Sequence, residues 1–143
     1  MPWRSRLIRR WFAVFFFCVS AVGARAQSAL VDRNVATAPG RDVRVGIYTN
    51  IRSDCTSGPL PAIKLVAAPA HGVVTVKRGT LKATNFKQCL ATEVPAFVAF
   101  YRAAADFTGT DEFELEISFF GGHKQIQHIR VSVSSNPTGA KGI

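Results

Sequence analysis

The sequence lacks the short motifs that identify most enzyme families. It has no Gly-x-Ser-x-Gly nucleophile elbow, no glycine-rich phosphate-binding loop and no His-Glu-x-x-His zinc site. Such motifs hold a reactive group on a defined turn or helix, and without them no residue stands out as a catalytic candidate. We therefore expect a protein that is not an enzyme and that uses no cofactor.

Metal ligands are scarce and scattered. The three histidines fall in different turns or strands: His71, His123 and His128. A structural zinc site needs about four converging ligands. Asp106, Asp111 and Glu112 could suggest calcium, but calcium takes about six to eight oxygen ligands and no second acidic cluster is present. We expect neither metal, and we expect Asp106 and Asp111 to cap a turn.

Residues 1–26 have the three-part layout of a secretory signal peptide. Four arginines precede an uncharged run over residues 11–24, and Ala24-Arg25-Ala26 is a small-x-small cleavage site. The alternative is a retained membrane anchor. A spanning helix needs about 20 apolar residues, and this run is shorter. We therefore expect the leader to be removed and no membrane span to remain.

Removal of the leader changes the charge balance. Five of the 18 basic residues leave with it, so 13 basic and 9 acidic residues remain and the net charge falls from +9 to about +4. The basic character of the chain is therefore largely a property of the leader. No stacking aromatic residues alternate with the remaining lysines, so we do not expect nucleic acid as a partner.

Cysteine is reduced to one pair, Cys55 and Cys89, once Cys18 leaves with the leader. Two cysteines in an exported chain have one possible intramolecular pairing. Free thiols or a metal pair are the alternatives, but the absence of a Cys-x-x-Cys spacing favours a structural disulfide. Such a bond persists in an oxidising compartment. The leader and the pair together predict a periplasmic or secreted protein.

Residues 27–134 read as one all-β domain, followed by a tail over 135–143 that we expect to be disordered. Phe113, Leu115 and Ile117 alternate with glutamates, which is the pattern of a strand with one buried and one wet face. Similar signals recur over residues 29–36, 43–47, 63–67, 73–77, 81–86, 97–101, 112–119 and 125–133. We expect Gly79 to end the strand at 73–77 and to separate it from the strand at 81–86. About seven or eight strands suit a two-sheet sandwich.

The last two strands allow a prediction of register. Gly121-Gly122 lies between them and reads as a hairpin turn. Pairing Leu115 with Ile129 puts the apolar residues of both strands on one face and requires a loop of three or five residues. It also places two charge pairs on the outer face: Glu114 with Arg130, and Glu116 with His128.

Three motifs resemble one family. They are Pro69-Ala70-His71-Gly72-Val73, then Tyr101, then the run DFTGTDEF over residues 106–113. Residues 60–133 are thereby similar to the bacterial cadherin-like and immunoglobulin-like repeats of tandem-95 type, although Ala103 and Leu115 replace a usual proline and a common tyrosine. The resemblance implies an immunoglobulin-like (cadherin-like) β-sandwich of about seven strands that acts through its surface.

Positive charge is concentrated between residues 72 and 88, which contain no acid. The candidate binding surface is made of the four basic residues of this stretch: Lys77, Arg78, Lys82 and Lys87. It could attract an anionic partner, or its lysines could simply prevent strand edges from aggregating.

We therefore expect a non-catalytic exported binding or structural module of the bacterial cell envelope. Its partner would be another envelope protein or an anionic polymer. The alternatives are a glycan or anionic-polymer binder that uses the basic hairpin, and an exported inhibitor or accessory subunit of an enzyme.

The exported chain should begin at Gln27, because cleavage after Ala26 fits the small-x-small rule. Intact-mass spectrometry of the protein recovered from an exporting bacterial host checks this. A product that keeps residues 1–26 and stays in the membrane fraction would instead favour the anchor.

Overall fold

The computed structural model describes residues 28–83, 89 and 92–137. The predicted leader, the predicted residue Lys87 and the end of the predicted tail therefore lie outside the described residues. Seven strands make up the described regular structure: β1 (Ala29–Thr37), β2 (Asp42–Tyr48), β3 (Ala62–Ala67), β4 (Gly72–Ala83), β5 (Thr92–Ala103), β6 (Gly109–Ser118) and β7 (Lys124–Val133). No helix in these residues is long and apolar enough to cross a membrane.

The strands form a sandwich of two sheets, which confirms the predicted fold class. One sheet has the order β1-β7-β6-β3 and the other has the order β2-β5-β4. Neighbours are antiparallel except β1, which runs parallel to β7. The first and last strands are therefore neighbours in the four-stranded sheet, and β5 is the central strand of the three-stranded sheet.

The core lies between the sheets and follows the alternation seen in the sequence. Phe113, Leu115 and Ile117 of β6 are buried, whereas the glutamates between them are half-buried. The facing sheet contributes the central strand β5, with Ala99 and Tyr101 fully buried. Each large apolar side chain that leaves water stabilises the fold by about 1.5–3 kcal/mol. The apolar run at residues 97–101 is central, as expected.

The prediction that Gly79 breaks a strand is wrong. β4 runs without interruption from Gly72 to Ala83 and pairs with β5 along its whole length, with Gly79 opposite Ala96. Glycine is a weak strand former, but here a continuous template on β5 supplies the pairing on both sides of it. The strand signal at 73–77 and residues 81–83 of the next signal therefore belong to one strand, and the described residues contain seven strands.

The register predicted for β6 and β7 is also wrong, by two residues. Phe113 lies opposite Ile129, and Leu115 lies opposite Gln127. A shift of two residues leaves every side chain on its original face, so the requirement for a shared apolar face could not exclude it. The loop has five residues, 119–123, which is one of the two predicted lengths.

The shifted register changes the charge pairs on the outer face. Glu112, rather than Glu114, lies opposite Arg130 and accepts a hydrogen bond from its Nε at 2.6 Å. His128 lies opposite Glu114, and its Nδ1 is 3.2 Å from a carboxylate oxygen of Asp32 on β1. Asp32, Glu112 and Arg130 are exposed and His128 is half-buried, so each pair contributes at most about 1 kcal/mol.

The predicted disulfide is present between Cys55 and Cys89, whose Cα atoms are 5.3 Å apart. It joins the β2–β3 loop to the β4–β5 connection at one end of the sandwich. Bonds of this kind persist outside the cytoplasm, so the structure is consistent with an extracytoplasmic site.

Replacing both cysteines, Cys55→Ala with Cys89→Ala, should lower the free energy of unfolding by about 3–4 kcal/mol, because the bond closes a loop of 34 residues that constrains the unfolded chain. Urea unfolding of the oxidised protein and the double variant gives the difference. Reducing the wild type should reproduce it. A loss below about 1 kcal/mol would mean that the bond adds little to this fold.

Candidate functional site

A buried carboxylate holds the end of the sandwich opposite the disulfide. One oxygen of Asp111 accepts hydrogen bonds from the N–H groups of Ala70 and Glu112, at 2.9 and 3.0 Å. The other accepts from the N–H of His71 at 2.9 Å and from the hydroxyl of Tyr101 at 2.8 Å. Only 3% of Asp111 is exposed. A single side chain thus joins the β3–β4 loop, β5 and β6, and we call this site the Asp111 corner.

The hydrogen bonds keep Asp111 ionised. Burial alone would raise the pKa of Asp111, but the donors on His71, Tyr101, Ala70 and Glu112 outweigh it and lower the pKa below its ordinary value. Burial and the bond to Asp111 raise the pKa of the Tyr101 phenol. The two groups therefore move further from neutral pH in opposite directions, which suits a fixed structural contact.

The Asp111 corner also brings together the three sequence motifs on which the resemblance to cadherin-like repeats is based. A Cβ on Gly72 would lie 2.4 Å from the Tyr101 ring, so the close approach of β4 to that ring requires glycine. The His71 ring stacks on Phe107 with centroids 4.1 Å apart. The sequence correctly predicted backbone hydrogen bonds to Asp111. It did not show that two of them come from the preceding β3–β4 loop rather than from the local turn.

The predicted basic residues that the structure describes are exposed on β4, but they do not share one face. Val74 lies opposite the buried Tyr101, so at the start of β4 the even-numbered residues point toward the other sheet. Arg78 and Lys82 lie on the same side of the strand as Val74, and Lys77 lies on the opposite, outer side. The basic stretch is therefore divided between two surfaces.

The outer face of the β2-β5-β4 sheet gathers cations that are distant in the sequence. The ammonium of Lys77 is 5.3 Å from the centroid of the Phe100 ring, and Arg44 of β2 lies opposite Phe100 in the register. Next to them, Arg102 donates two hydrogen bonds to Asp42 at 2.7 and 2.9 Å. The hydrogen bond from Arg102 is the main cause that lowers the pKa of Asp42, and the charge of Lys77 adds to it.

Sequence reasoning missed Arg44, Phe100 and Arg102 in this cluster. Arg44 and Phe100 lie on strands that were predicted, where alternation alone assigns each to a strand face. Arg102 lies one residue beyond the predicted strand at 97–101, because β5 continues to Ala103. Their neighbourhood depends on the register between three strands, which the sequence does not state.

The other polar groups in the core are used internally. The hydroxyl of Tyr48 donates to the side-chain oxygen of Gln127 at 2.7 Å and so connects the two sheets. Every buried side-chain nitrogen or oxygen in the described part of the chain has a hydrogen-bond partner. In the same residues, no three His, Cys, Asp or Glu side chains come together in a way that could hold a metal ion.

Known proteins offer a comparison of architecture only. No protein-family model matches the chain, and no curated protein matches it. Among solved structures, the solution structure of amebosin is similar, with a TM-score of 0.43 and 9% sequence identity over 76% of this chain and 99% of that chain.

Asp111→Asn should lower the free energy of unfolding by about 2–4 kcal/mol at neutral pH, because the amide cannot accept all four hydrogen bonds and turns donors toward donors. Urea unfolding measures the loss. Asp106→Asn is the matched control, since Asp106 is an exposed aspartate near the same corner and its change should stay within about 0.5 kcal/mol.

A comparison of wild type with Asp111→Asn at different pH values also tests whether Asp111 is ionised in the folded protein. The pKa of Asp111 is lower in the folded state than in the unfolded state, so its contribution is complete above the unfolded pKa of about 4 and is lost as pH falls through the folded pKa. The difference between wild type and Asp111→Asn should therefore shrink below about pH 4. A difference that grows on acidification would contradict the assignment.

Proposed function

We propose that this chain is a non-catalytic exported module of the bacterial cell envelope that binds or braces other envelope components. The observation that carries the proposal is the distribution of polar groups. The buried carboxylate of Asp111 is saturated by four hydrogen bonds, and the cations Lys77, Arg78 and Lys82 are displayed to solvent on one strand. A protein built in this way acts through surface contact.

The predicted leader and the disulfide support a location in the periplasm or outside the cell. A signal peptide directs the chain across the membrane, and the Cys55–Cys89 bond is of a type that lasts in oxidising compartments. After cleavage we expect no membrane span.

The resemblance to bacterial cadherin-like and immunoglobulin-like repeats supports the same role. The residues on which it depends meet at the Asp111 corner, where His71, Gly72, Tyr101 and Phe107 surround the carboxylate. A set of motifs that packs into one structural unit is better support than the same motifs scattered over the fold. Repeats of this kind act by surface contact.

The second candidate is an anionic-polymer binder, and the outer-face cluster favours it. Arg44, Lys77 and Arg102 lie on one sheet face, and Asp42 is the acidic residue of this cluster. A face with excess positive charge attracts a polyanion from a distance. The Phe100 ring adds apolar contact area.

Two experiments on the exported, naturally processed chain separate these functions. Crosslinking in the native envelope should recover a stoichiometric protein partner if the chain is a protein-binding module, including an accessory subunit or inhibitor. Retention on immobilised polygalacturonate that falls with added salt would favour the polymer binder.

The polymer experiment has a matched pair of variants. Arg44→Gln with Lys77→Gln should abolish retention on polygalacturonate. Arg41→Gln with Lys64→Gln removes the same amount of charge from exposed positions outside the cluster and should leave retention unchanged. No partner and no retention would refute a binding role. Turnover of any substrate by pure protein would refute the non-catalytic assignment.

A further inference from the structure

The longest strand with an unpaired edge in the described part of the chain is β4. It has 12 residues and pairs with β5 on one side only. The other outer strands are shorter, and two of them are irregular, with register shifts at Arg44/Gly46 in β2 and at Leu65/Ala67 in β3. Such irregularities protect a sheet edge from further pairing. β4 pairs with β5 without any shift, so its free edge is straight and regular.

The backbone groups that point away from β5 can be assigned from one proline. Pro95 lies opposite Thr80 and has no N–H to donate, so this pair is of the non-hydrogen-bonded kind. In an antiparallel pair the two kinds alternate. The N–H and C=O groups of Val76, Arg78, Thr80 and Lys82 therefore point to the free edge, where an added strand would bind them.

The side chains beside the free edge of β4 are apolar near its start and basic further along. Val76 faces the other sheet but is 41% exposed, and Leu65 of β3 also faces inward, opposite the buried Leu115, but is 42% exposed. β1 contacts β2, so β3 and β4 are the outer strands at the opposite side of the sandwich. An added strand would cover apolar surface near Val76. Further along the same side, Arg78 and Lys82 are exposed.

Charge decides which strand can bind. Residues 72–83 contain three basic residues and no acid. Pairing of β4 with β4 of a second copy would concentrate six positive side chains, and like charges across strands are destabilising. An acidic strand would instead form favourable cross-strand pairs with Arg78 and Lys82.

We propose that β4 binds an extended segment of another exported protein as an additional strand. The segment is apolar beside Val74 and Val76 and acidic beside Arg78 and Lys82. Main-chain hydrogen bonds to the free edge supply affinity, and the alternate side chains supply specificity. This inference rests on the proposed function as a binding module, and it names the surface and the chemistry of the partner.

Two synthetic peptides provide the probe, Val-Thr-Val-Thr-Glu-Thr-Thr-Thr-Glu and its reverse, which cover parallel and antiparallel addition and place valines beside Val74 and Val76 and glutamates beside Arg78 and Lys82. Nuclear magnetic resonance titration of the exported chain should show shifts concentrated on β4 for one of them. The amide hydrogens of Val76, Arg78 and Thr80 should become protected from exchange. Shifts that map to the outer face around Phe100, or to the Asp111 corner, would overturn the proposal.

Backbone and charge variants test the two parts of the recognition. Thr80→Pro removes one edge donor that β5 does not use, and it should weaken binding at least about tenfold without loss of the fold. Arg78→Glu with Lys82→Glu should abolish binding of the glutamate peptide and create binding of the corresponding lysine peptide. Lys64→Glu, on exposed β3, is the control that should change neither.

The outcomes separate this inference from the proposed function. Peptide binding that survives Thr80→Pro in a folded variant, or equal competition by polygalacturonate, would overturn strand addition. If neither peptide binds and the charge exchange leaves capture of an envelope partner unchanged, strand addition is wrong and the binding function stands. If the chain captures nothing from the envelope, the proposed function itself fails.

Discussion

The fold depends on a buried negative charge that would be costly without its hydrogen bonds. Taking a carboxylate out of water destabilises a protein by several kcal/mol unless donors replace the lost hydration. Asp111 receives four donors from three segments, and each segment is fixed by providing them. Since Gly72 begins β4 directly after His71, the carboxylate also determines where the edge strand starts.

The edge strand is therefore restrained at both ends. Its beginning is attached to the Asp111 corner, and the connection that follows it is tied through Cys89 to the β2–β3 loop. Along its whole length it is paired with β5, the central strand of its sheet. A surface that is already ordered loses little conformational entropy when a partner binds. The positions that stabilise the sandwich thus also pre-organise the surface through which we propose that it acts.

The sequence predicted what depends on local pattern and missed what depends on pairing between distant strands. Alternation around Leu115 identified a strand with one buried face, and counting cysteines identified the bond between Cys55 and Cys89. The prediction that Gly79 interrupts a strand was wrong because the effect of a glycine on a strand depends on the neighbouring strand. β5 pairs with β4 without interruption at this position. The outer-face cluster of Arg44 and Phe100 could not be foreseen, because neighbours on adjacent strands are fixed by register.

The basic residues on β4 have two roles that do not exclude each other. Lysines on a free edge prevent pairing between copies. Such protection is needed only where the backbone of the edge is able to pair with another strand. The same charges make an acidic strand the favoured partner. The electrostatic interaction that repels a second copy of β4 therefore also attracts an acidic strand. A purely protective edge would also be expected to carry a bulge, and β4 pairs with β5 without one and leaves Val76 exposed. Arg78, on the same side of the strand as Val76, is the protective charge of an edge that is otherwise regular. That regularity is the reason to interpret the edge as a binding surface.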